Sequence, residues 1–310
     1  MYMYLPIALA SVNYLVVVGL GLAVGLLSGL FGVGGGFLMT PLLMMIGIPP
    51  TIAAATDANQ IVAASASGTF SHWRLGNVDF KMGLFLLIGG FVGGAFGVQI
   101  IKILRATGGA DFMIKMTYVV MLGLVGSFMF VESLNALQKS KKAAETASPA
   151  KPKAAKKSGG FFAALPMQTY FVKSGVTHSA LVPIVLGTFV GILAAIMGVG
   201  GGFLMVPVMI YMLRMPMHVV VGTSLFQILF TCIEVTYLQA YSNHTVDFVL
   251  ALLLLVGSVF GAQIGTVLGR KLHGDQLKIL LSIIVLAVTV KIVLELVMEP
   301  SILLSYAGGH

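Results

Sequence analysis

No aspartate, glutamate, lysine or arginine falls between Met1 and Thr56, and none falls between Ser174 and Leu213. Charged residues make up 9% of the 310-residue chain, against about 25% in a soluble domain. Mean hydropathy is +1.03. Each uncharged run exceeds the roughly 20 apolar residues that one membrane crossing needs. The chain therefore reads as an all-α polytopic membrane protein. A single cysteine, Cys232, excludes an internal disulfide and a multi-cysteine metal site. The six histidines show no metal-ligand spacing, and no nucleophile–base pair stands out. No cofactor, no metal and no enzymatic activity are expected. The first segment carries no positively charged n-region and no small-residue cleavage site, so it reads as mature protein rather than a signal peptide.

The net charge is +8. Seven lysines fall between Lys139 and Lys157 against one acid, Glu145, so most of the excess sits in one segment. Such a cluster marks the cytoplasmic side of a membrane protein and is not read as a nucleic-acid surface. Residues 132–174, rich in Lys, Ala, Ser and Pro, read as a flexible linker. They separate a first membrane repeat, 1–131, from a second, 175–310.

What the chain does contain is a repeat. Gly32-Val33-Gly34-Gly35-Gly36-Phe37-Leu38-Met39-Thr40-Pro41 returns, nine positions of ten identical, as Gly198 to Pro207. Glycine costs a helix interior about 1 kcal/mol against alanine, so three in a row predict a break. Broken helices inside a membrane are tolerated where they are buried in protein or line a wet cavity. Matching breaks in two halves point to a transporter's binding site. Each break lies between an apolar segment (Asn13 to Phe31; Leu181 to Met197) and a piece too short to cross a bilayer, which predicts a hairpin with the glycines at its apex. Three full spans follow in each half, near 52–72, 82–101 and 112–131, then 217–241, 248–269 and 277–298. Gly89, Gly93 and Gly97 form a small-xxx-small stripe suited to close packing, and Gly257, Gly261 and Gly265 repeat it. An odd number of crossings per half predicts two inverted-topology repeats with the linker inside and both termini outside.

Several polar residues stand in these apolar surroundings. Gly34, Gly35, Gly36, Gly200, Gly201 and Gly202 precede helix starts, where free N–H groups and the positive dipole end suit an anion. The plainer alternative is tight helix crossing. Thr56 and Gln60 recur at the spacing of Thr223 and Gln227, with Ser224 beside them. These are donors for an oxyanion, or else interhelical hydrogen bonds. Asp57 stands where the second half has Ser224. Glu234 lies mid-span, and a carboxylate at such depth is a functional candidate, for example a proton carrier. Lys291 and Glu295 read as an ordinary i,i+4 pair.

The duplicated Gly-Val-Gly-Gly-Gly-Phe-Leu-Met-x-Pro motif, Gly222-Thr223-Ser224, the Asn77-Val78-Asp79 loop and the glycine stripes together resemble the TauE/SafE family of sulfite and organosulfonate exporters. The resemblance covers both membrane halves and not the linker. It implies a plasma-membrane carrier of a small sulfur-containing anion such as sulfite, a sulfonate or thiosulfate. An anion channel of the same fold, or a membrane subunit of a larger complex, is the alternative. Oligomeric state, direction and coupling ion are not specified by the sequence.

Overall fold

The computed structural model describes residues 2–31, 36–145, 168–269 and 274–298. The first half runs through a hairpin, β1 (Tyr2–Leu5) and β2 (Ala10–Asn13), and then α1 (Tyr14–Phe31), α2 (Gly36–Met45), α3 (Pro50–Arg74), α4 (Phe80–Ala106) and α5 (Ala110–Glu145). The second half has β3 (Gln168–Phe171), β4 (Val176–Ser179), α6 (Leu181–Met197), α7 (Gly202–Tyr211), α8 (Met217–Leu238), a π-helical turn (Gln239–Asn243), α9 (Phe248–Gly269) and α10 (Gly274–Met298). Among the described residues the protein is all-α apart from two short antiparallel hairpins. Phe80–Ala106, Ala110–Phe128, Val219–Asn243 and Phe248–Gly265 are long and apolar enough to cross a membrane.

The elements correspond in order, and the offsets record where residues were added. The glycine motifs lie 166 apart, Thr56 and Thr223 lie 167 apart, and Asp79 and Asp247 lie 168 apart. The first added residue falls in the α7–α8 connection. The second coincides with the π-helical turn at the end of α8, where α3 is α-helical to Arg74. A π turn takes up one extra residue without breaking the helix.

The halves interlock. α1 packs on α9 and α4 on α6, while α3 packs on α8 and α5 on α10. Exchanging the halves leaves this set of pairs unchanged. Glycine sets the approach at the two closest crossings. A Cβ at Gly93 would sit 2.1 Å from the Thr188 carbonyl oxygen, and one at Gly261 would sit 2.1 Å from that of Leu22. The stripes therefore pack backbone to backbone, as small-xxx-small motifs do.

The short helices are short for a reason. α2 and α7 have ten residues each and carry Pro41 and Pro207 inside them. Ten residues rise about 15 Å, half a hydrocarbon core. Proline gives no N–H to the carbonyl four residues back, which belongs to Phe37 in one copy and Phe203 in the other.

Two features differ from the expected linker over 132–174. Helix α5 continues past Val131 to Glu145, through an Ala-, Lys- and Glu-containing stretch of good helix formers. Strand β3 starts at Gln168 and folds back on β4, pairing Gln168 with Ser179 and Phe171 with Val176. Residues 146–167 lie outside those described.

Candidate functional site

Gly34 and Gly35 lie outside the described residues, and Gly36 is the first residue of α2. In the second copy Gly198, Gly200 and Gly201 all have positive φ, at 72°, 68° and 77°, a region that glycine enters without the Cβ penalty. Gly198 caps α6 and Gly201 caps the start of α7, where no side chain bonds the first N–H groups. The second break presses hard on the first half. A Cβ at Gly198 would lie 1.9 Å from the Ala54 carbonyl oxygen of α3.

The two breaks converge. Phe37 and Phe203, one residue into α2 and α7, stack with centroids 4.5 Å apart and planes 13° from parallel. Ile61 of α3 reaches both runs: a Cβ on Gly36 would meet its Cδ1 at 2.2 Å, and one on Gly200 would meet its Cγ2 at 3.3 Å. Gly200 also faces Cys232 and Ile228 of α8, and Gly201 faces Val190 of α6. Gly202, the first residue of α7, is buried.

Asp57 sits at this junction and is fully buried. Its Oδ2 accepts a hydrogen bond from the Thr40 hydroxyl at 2.9 Å and lies 3.5 Å from where a Cβ on Gly36 would be. Its Oδ1 has no hydrogen-bond partner. The Thr40 hydroxyl is also 3.5 Å from the Met197 carbonyl, which accepts the hydroxyl of buried Tyr118. Thr40 and Tyr118 were not among the residues singled out by sequence. Thr40 carried a signal all the same: it is the one position of ten at which the glycine motifs differ, with Val206 in the other copy. The second half lacks both members of the pair, having Val206 for Thr40 and Ser224 for Asp57. Ser224 turns its hydroxyl back on the Val221 carbonyl, at 3.0 Å.

The remaining sequence-predicted polar residues take separate places along the helices. Thr56 Oγ1 accepts from the Asp247 N–H at 3.1 Å, and Thr223 Oγ1 accepts from the Asp79 N–H at 3.0 Å. Each threonine thus holds the helix start of the opposite half. Gln60 donates to Ser258 of α9 at 2.7 Å, whereas Gln227 donates to Thr231 of its own helix at 2.9 Å and leaves Oε1 unpartnered. The difference follows from Gly90, which stands in α4 where α9 has Ser258. A Cβ there would meet Gln227 Nε2 at 2.9 Å. Glu234 is half-buried and lies over Gly94 of α4, with Oε2 unpartnered. Lys291 and Glu295 form the expected pair at 3.9 Å. Among the described residues no group of three or more His, Cys, Asp or Glu could hold a metal ion.

A family model described as Sulfite exporter TauE/SafE matches residues 17–292, from α1 into α10. The chain belongs to that family. It is 27% identical over 297 residues to the probable membrane transporter protein YunE of Bacillus subtilis (strain 168), covering 91% of this chain and 98% of that one. The probable membrane transporter protein MJ0441 of Methanocaldococcus jannaschii is 24% identical over 281 residues, 84% of this chain and 88% of its own. Sulfite exporter TauE/SafE family protein 1 of Arabidopsis thaliana is 33% identical over 90 residues, 29% of this chain and 20% of its own. No solved structure matches the chain. The protein is accordingly a multi-pass membrane protein of a transporter family.

Proposed function

We propose that the protein is a secondary carrier of a small sulfur-containing anion, such as sulfite, an organosulfonate or thiosulfate, across the cell membrane. The observation that carries this reading is the stacking of Phe37 on Phe203. It sets the N-termini of α2 and α7 side by side, one from each half, among buried residues. Helix N-termini present free N–H groups and a positive dipole end, and both favour an anion. The family model's description and the Arabidopsis relative's name supply the sulfur chemistry.

The glycine runs around Gly34 to Gly36 and Gly200 to Gly202 let the anion approach bare backbone. Gln227 and Gln60 each commit one amide hydrogen, to Thr231 and Ser258, and the second hydrogen of each amide is the donor they would offer an anion. Thr56 and Thr223 hold the helix starts at Asp247 and Asp79 and Ser224 bonds its own helix, so these three act on the site through the helices that carry them. Rocking of one inverted repeat against the other alternates access to the apex. A proton on Asp57 or Glu234 couples the movement.

The test is a thermal-shift panel on the purified protein with sulfite, thiosulfate, sulfate, taurine and sulfoacetate. Melting is followed by the circular dichroism of the helices, because sulfite and thiosulfate are nucleophiles that would consume a thiol-reactive dye. One anion that raises the melting temperature well above the others is the expected result. No shift with any of them removes the sulfur-anion assignment.

A further inference from the structure

Resting on that carrier reading, we infer that each anion is bound together with one proton, held on Asp57 Oδ1, and that the carboxyl donates this proton as a hydrogen bond to the anion. Asp57 is an acid in a place proposed for an anion, and its surroundings resolve the contradiction. Among the described residues, the polar groups that face the junction are the Thr40 hydroxyl and backbone from α2, Tyr118 from α5, the Met197 carbonyl from the end of α6, and Cys232 from α8, packed on Gly200. None is a cation, and among the described residues no Lys, Arg or His pairs with Asp57. A charged carboxylate buried without a partner cation is costly, and a second negative charge beside it more so. A proton removes both costs.

The geometry selects the oxygen. Oδ2 is occupied by the Thr40 hydroxyl at 2.9 Å, and Oδ1 has no partner. A proton on Oδ1 becomes a donor with no acceptor among the described residues. An oxyanion at the apex supplies the acceptor. Proton and anion therefore each complete the site for the other, and by reciprocity each raises the other's affinity.

The stoichiometry follows from the asymmetry between the halves. Ser224 replaces Asp57 in the second half, Val206 replaces Thr40, and the Ser224 hydroxyl is spent on its own helix. The second apex offers neither a carboxyl nor the hydroxyl that would orient one. The site takes one proton per anion, not two.

The experiment is isothermal titration of the purified full-length protein with thiosulfate, and in parallel with ethanesulfonate, both ionised at neutral and mildly acidic pH. Buffers of different ionisation enthalpy count the protons taken up. Where Asp57 is ionised in the free protein the expected result is uptake of about one proton per anion, with affinity rising by up to about tenfold per unit of falling pH; where it already holds its proton, uptake falls to zero and affinity levels off, so the titrations run from about pH 6 to about pH 10. Asp57→Asn keeps a donor and loses the titration, so it is expected to bind with no proton uptake and a flat pH profile. Binding by the wild-type protein with no proton uptake and a flat profile across that whole range overturns this inference and leaves the carrier reading standing. Proton uptake that persists in Asp57→Asn also overturns it. Folded protein that binds neither anion overturns the carrier reading and this inference with it. The wild-type proton count decides the matter even where the variant does not fold.

Discussion

Thr40 and Val206 occupy the one position at which the two glycine motifs differ, and Asp57 and Ser224 differ one element later. The structure makes these a single difference, a Thr40–Asp57 hydrogen bond in one half and its absence in the other. Thr40→Val strips the buried carboxyl of its bonded hydroxyl, and is expected to cost about 1–3 kcal/mol of stability, the usual penalty for orphaning a buried polar group. Ser224→Ala removes a hydroxyl that bonds only its own helix, and is expected to cost less than about 1 kcal/mol. Thermal unfolding followed at Cys232 measures both. The Asp57/Ser224 inequality was legible in the sequence because both residues stand in matched motifs. Their partners were not. Thr40 approaches Asp57 only because the turn at Gly47 folds α3 back on α2, a tertiary event that spacing does not record. In the same way, Thr56 and Thr223 read as ligand donors from their recurrence. Their role in holding Asp247 and Asp79 required knowing which half each faces.

At the scale of elements, the two hairpins and the two aspartate caps form one device, built twice. Asp79 caps α4 through Met82 N–H at 3.1 Å, and its other oxygen accepts from the backbone and hydroxyl of Ser174, in the turn of the β3–β4 hairpin. Asp247 caps α9 through Leu250 N–H at 3.1 Å and accepts from Ile7 N–H at 3.3 Å, in the turn of the β1–β2 hairpin. Each hairpin is thus tied to the helix start of the opposite half. Asp79→Ala is expected to cost about 0.5–2 kcal/mol as a lost cap. It should also speed amide exchange in β3–β4, 89 or more residues away in sequence, while leaving β1–β2 protected. Asp247→Ala should do the reverse. Exchange that rises equally in both hairpins contradicts this crossed wiring. The hairpins were invisible in the sequence because four-residue strands are too short for alternation to register. The echo of Val78-Asp79-Phe80 in Val246-Asp247-Phe248 was visible, and its use was not. The glycine stripes, by contrast, were legible in full, because four-residue spacing on a helix means one face whatever the partner. Gly93→Leu would drive a side chain into the Thr188 carbonyl and is expected to abolish the α4–α6 crossing, read as loss of monodisperse protein on size exclusion.

At the scale of the molecule, the matched turns of the two ends differ in charge. Arg74, Lys81 and Lys173 gather around the Gly76 loop and the β3–β4 hairpin: Lys173 bonds the Gly76 carbonyl at 3.1 Å, and Arg74 lies 4.4 Å over Phe70. Tyr241, Val249 and Ile7 hold the corresponding positions at the other end, where Arg105 bonds the Asn243 carbonyl. With lysines marking the inside, the Arg74 end is expected in the cytoplasm and the Tyr241 end outside. Leu75 and Tyr241 are 71% and 72% exposed. A membrane-impermeant maleimide applied to intact cells should label Tyr241→Cys and spare Leu75→Cys until the membrane is opened. Labelling of both from one side would contradict inverted repeats.

The central claim is that this fold carries a sulfur anion through the junction of its two glycine breaks. Uptake of labelled sulfite and thiosulfate into liposomes that contain the purified protein alone tests it most directly. The account predicts saturable uptake of at least one of them, faster with an inward proton gradient and competed by organosulfonates. Uptake no faster than in empty liposomes, or a current that rises without saturation as in a channel, would contradict it.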